Sequence, residues 1–70
     1  MSDLFGGALP ISLDAQIKEV LREIAQRERV YPRWVAAGKM TQAAADRQIA
    51  IMRAVQHTLA DVAQEHDDGK

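Results

Sequence analysis

Seventy residues make one small domain at most. Hydrophobic residues form 47% of the chain, which argues against disorder, yet the aromatic ones are Phe5, Tyr31 and Trp34 alone and much of the apolar share is alanine. The net charge of −1 excludes a chain drawn as a whole to nucleic acid or membrane, and the lack of cysteine excludes disulfide stapling.

Residues 1–11 read as an irregular apolar tail. Gly6-Gly7 is flexible and Pro10 disfavours helix before it. Leu4, Phe5, Leu9 and Ile11 are nonetheless apolar, and a tail meant only for solvent has no need of them. No basic region followed by a long apolar run is present, so no secretory signal is expected there.

Ser12 is the expected N-cap of a first helix reaching to about Ala37, with Asp14 near the positive end of its dipole. Leu13, Ile17, Val20, Ile24, Tyr31 and Trp34 recur at helical spacing, with Arg27 as the polar entry and Leu21 and Val35 on the flanks. Pro32 lies inside this pattern. Its ring removes a backbone hydrogen bond and crowds the carbonyl four residues back, which predicts a bend near residues 28–32 or a break.

The stretch Ala37-Gly38-Lys39-Met40-Thr41 combines a helix stop with a helix start. Gly38 suits the left-handed position that ends a helix, and Thr41 suits the next N-cap. So short a link folds two helices back antiparallel. The second helix is expected from about Gln42 to about His66, with Ala45, Met52, Val55, Leu59 and Val62 as its apolar stripe. Ile49 and Ile51 flank that stripe and Gln48 interrupts it. Residues 67–70 are a charged end.

The fold class is therefore all-α: an antiparallel hairpin over residues 12–66, bent near Pro32. Two helices bury one face each, and a single core in a chain below ~70–80 residues rarely supplies more than ~3–5 kcal/mol. A homodimer forming a four-helix arrangement is the expected completion, burying Ile17, Val20, Ile24, Tyr31, Met52, Val55 and Leu59. Residues 12–41 carry six basic against four acidic side chains, and residues 42–70 three against five. Helices of opposite net charge suit antiparallel pairing, within one chain or between two.

Catalytic and metal chemistry find little support. His57 and Asp61 share a helix face, but a metal site needs three or four converging ligands, and hydrolysis needs a nucleophile and a pocket. No enzyme activity, cofactor or metal is expected. Lys18, Arg22, Arg29 and Arg33 line one side of the first helix and form a candidate nucleic-acid-binding stripe. Glu19, Glu23 and Glu28 interleave with it, which is the pattern of an ordinary solvated face. Tyr31, Trp34 and Met40 cluster near the hairpin tip; Tyr31 reads as core, and Trp34 and Met40 as candidate partner contacts.

The tail carries the sharpest motif. Asp3, Leu4 and Phe5 resemble the end of the peptide that binds bacterial sliding clamps, commonly Gln-Leu-Ser/Asp-Leu-Phe. Met1 and Ser2 depart from its first two places. On that resemblance Leu4 and Phe5 would fill adjoining apolar pockets on the clamp. The commoner role of two such residues in a small protein is to fold over the open face and cover it.

Residues 27–59 resemble small proteins of bacteriophages and prophages of proteobacteria, through Tyr31-Pro32, the Gly38-Lys39-Met40 turn and Ile49 to Met52. The resemblance spans about half the chain and brings no activity with it. It implies a phage-encoded accessory protein in the cytoplasm of a bacterial host, binding a host or phage protein. The absence of cysteine fits that reducing compartment, and no stretch nears the ~20 apolar residues of a membrane span.

Overall fold

The computed structural model describes residues 11–68, with side chains placed as far as Glu65. Two helices account for nearly all of it: α1, Leu13–Ala36, and α2, Gln42–Asp68. They pack against each other as a hairpin, and no strand occurs among the described residues.

Both helix starts follow from a hydroxyl. Ser12 has extended backbone, and its Oγ accepts a hydrogen bond from the Ala15 N–H at 3.0 Å. Thr41 Oγ1 accepts from the Ala44 N–H at the same distance. Each satisfies a donor that the first helical turn cannot pair internally. Asp14 adds a negative charge at the positive end of α1.

The turn closes α1 by a paired set of backbone bonds. Lys39 N–H donates to the Trp34 carbonyl at 2.9 Å and Gly38 N–H to the Val35 carbonyl at 3.0 Å. This is a Schellman motif, and it requires a left-handed residue at its centre. Gly38 supplies it with φ 77°. The chain then reverses and α2 begins at once.

Pro32 does not break α1, which runs unbroken through it to Ala36. The missing N–H removes one bond from a helix of 24 residues, and the bonds on either side hold the helical course. α2 runs to Asp68, two residues past the expected end at about His66. Neither glycine nor proline occurs within α2 to stop it earlier.

The core is very small. Ile24, Tyr31 and Ala45 are its buried hydrophobic residues. Ala45 opposite Tyr31 allows the helices to approach where the large ring sits. The residues of α2 that are at least half covered are Ala44, Ala45, Ile49, Met52, Gln56, Leu59, Ala60, Val62 and Ala63, and those at helical spacing, Ala45, Ile49, Met52, Gln56, Leu59 and Ala63, trace its covered seam. This corrects the expected stripe: Val55 lies outside the seam and Ile49 within it. The seam keeps a helical period only by accepting the polar Gln56, which an apolar-only count passes over.

Candidate interaction surface

Two polar contacts fix the register of the helices. The Tyr31 hydroxyl donates to Gln48 Oε1 at 3.1 Å, and Arg53 donates to Glu28 at 2.7 Å. The Tyr31 bond explains why Gln48 interrupts an apolar stripe. It gives the hydroxyl of a buried ring a partner, which such a group needs. Gln48 was visible as an odd entry in the pattern; that Tyr31 is its partner was not.

The two sides of the hairpin differ. On one side the Glu28–Arg53 ion pair bridges the helices over a groove lined by Tyr31, Pro32, Gln42, Asp46 and Ile49. On the other side two shallow grooves share Arg27. One runs along Glu23, Gln26, Val30, Tyr31 and Trp34, and the other along Ala44, Arg47, Gln48 and Ile51. Trp34 and Ile51 therefore border the same side. Val55, one turn beyond Ile51, continues that row.

This row is open to solvent. Trp34 is 45% exposed, Ile51 47% and Val55 41%. Trp34 was expected in the α1 stripe beside Tyr31. It lies instead on the rim, three residues further round the helix, with its ring 5.7 Å from that of Tyr31 and tilted by 33°. Within this side the charges of α1 are already balanced. Arg27 Nε donates to Glu23 at 2.8 Å, and that bond raises the guanidinium pKa above the ordinary arginine range. Met40, the other expected contact at the tip, is partly covered in the turn.

The basic stripe is less available than its spacing implies. Lys18 pairs with Asp14 at 3.1 Å and Arg22 with Glu19 at 2.8 Å. The Glu19 hydrogen bond also raises the Arg22 pKa. Arg29 donates to Gln26 at 2.7 Å, and Arg33 stands exposed in the last turn of α1. Half of the stripe is thus locally neutralised. His57 and Asp61 are both exposed. No group of three or more His, Cys, Asp or Glu side chains suited to a metal ion occurs among the described residues.

Leu4 and Phe5 lie outside the described residues. No helix in the described part is long and apolar enough to cross a membrane. No family model, curated protein or solved structure matches the chain.

Proposed function

We propose that this chain is a non-enzymatic accessory protein of phage origin that acts by binding a host or phage protein and modulating it. The row of Trp34, Ile51 and Val55 carries the reading. Large apolar side chains gathered on one open side of a small protein form a surface for another protein. The phage resemblance supplies the setting, the cytoplasm of a bacterial host. A second element, the Leu4-Phe5 peptide, is the part offered to the host's replication sliding clamp.

A nucleic-acid role would draw on Lys18, Arg22, Arg29 and Arg33, and the carboxylates beside Lys18 and Arg22 weaken it. The clamp reading is tested by titrating the labelled protein with a purified bacterial clamp. Saturable binding is expected, and replacing Leu4 and Phe5 together with alanine should abolish it while leaving helix content unchanged. A parent protein that ignores the clamp refutes this element of the function.

A further inference from the structure

We infer that the open side receives an acidic amphipathic helix of another protein, its apolar residues on Trp34, Ile51 and Val55 and a carboxylate on the guanidinium of Arg47. The inference rests on reading this side as a protein-binding surface, and adds the chemistry of what binds there.

The first argument is the shape of the row. Ile51 and Val55 stand one turn apart on α2, and Trp34 borders the same side from α1. A ridge of i, i+4 side chains is what a further helix packs against. The two grooves beside the ridge are shallow. They suit side chains presented by a backbone lying over them, whereas a small molecule needs a site that encloses most of it.

The second argument is charge. Residues 24–55, the half of the hairpin next to the tip, carry six basic side chains against two acidic ones. The other described residues carry two against seven. The two acidic residues of the tip half, Glu28 and Asp46, both line the groove on the opposite side. On the open side Arg27 and Arg47 line one groove with Ala44, Gln48 and Ile51, and no carboxylate joins them. Arg27 is already held by Glu23. Arg47 makes no ion pair among the described residues. An unpaired guanidinium beside an exposed apolar row is the complement of a carboxylate beside apolar side chains.

Nucleic acid matches the same charge less well. Ile51 and Val55 offer a base no ring to stack on. Lys18 and Arg22, which would extend a phosphate track along α1, are paired with Asp14 and Glu19.

Trp34 is the sole tryptophan, so its emission reports contact at the row directly. The full chain is titrated with a synthetic helical peptide of about four turns, leucine on one face and glutamate along its edges, and with a twin carrying lysine for glutamate. The glutamate peptide should shift the emission to the blue saturably and bind at least about tenfold tighter than its twin. Arg47→Gln should weaken the glutamate peptide about three- to fivefold, the most an exposed ion pair contributes, and leave the twin no weaker. Ala25→Glu makes the same change of net charge about 180° round α1 from Trp34, and should leave both affinities within about twofold. Equal binding of the two peptides overturns the inference and leaves the protein-binding surface standing. If neither peptide moves the emission, both fall. A single-stranded oligonucleotide that binds at Trp34 more tightly than the glutamate peptide overturns the inference in favour of nucleic acid. A chain that sediments as a dimer at micromolar concentration, with its emission already blue-shifted, overturns it in favour of a second copy.

Discussion

Gly38 shows how much a single backbone dihedral carries in this fold. Its φ of 77° is left-handed, and a Cβ built there meets nothing within 4 Å. Space is therefore not the reason for glycine; conformation is. A side chain at this φ costs roughly 1–2 kcal/mol through its clash with the neighbouring carbonyl. Gly38→Ala should lower stability by about that amount in urea denaturation at fixed protein concentration. Gly38→Asn should cost less, since asparagine tolerates the left-handed region. If the alanine variant were as stable as the parent, the Schellman closure would not be holding the turn. Tyr31 makes the complementary point. Its ring is the largest buried group, and its hydroxyl reaches across to Gln48, so one residue joins packing to register.

At the level of elements, the reading from sequence succeeded where the signal was local. Ser12, Gly38 and Thr41 act within a turn of their own positions, and each does in the structure what its chemistry predicts. It failed where the answer depended on the other helix. Val55 has the apolar character and nearly the right spacing for the seam, but Gln56 beside it is the residue turned towards α1. Trp34 likewise matches the stripe and sits on its edge. A helical stripe is wider than the contact it makes, and only the partner helix decides which edge is covered. The surface row was half legible: Trp34 stood out as a candidate partner contact and Ile51 as a flank, whereas Val55 was assigned to the stripe. Pro32 tests the balance between local preference and tertiary hold. It is exposed, inside a continuous helix, and proline in a helix interior is about 3 kcal/mol worse than alanine. Pro32→Ala should therefore stabilise the hairpin by up to about 3 kcal/mol, read as a higher urea midpoint with raised helical ellipticity. A fall in stability would show that the ring's packing beside Ile49 and Gln42 outweighs the lost hydrogen bond.

For the whole molecule, the disproportion between helix length and core decides what kind of stability to expect. Ile24, Tyr31 and Ala45 are the buried apolar residues of the described chain, and the Lys18–Asp14 and Arg22–Glu19 ion pairs that decorate it are exposed ones worth little each. A lone hairpin leaves apolar area in water on the side of Trp34, Ile51 and Val55, so little is left to hold it. If two chains share that area, folding and association are one event, and mass action then governs the melting temperature. Unfolding enthalpies near ~0.7 kcal/mol per residue, taken over both chains, imply that Tm falls by about 5 °C for each tenfold dilution. Circular dichroism melts across a hundredfold range of protein concentration measure this directly. A lone hairpin unfolding by itself gives a Tm independent of concentration. The slope therefore reports whether the exposed row is part of the folded core or a surface kept free. It does so without any substitution that might disturb so small a fold.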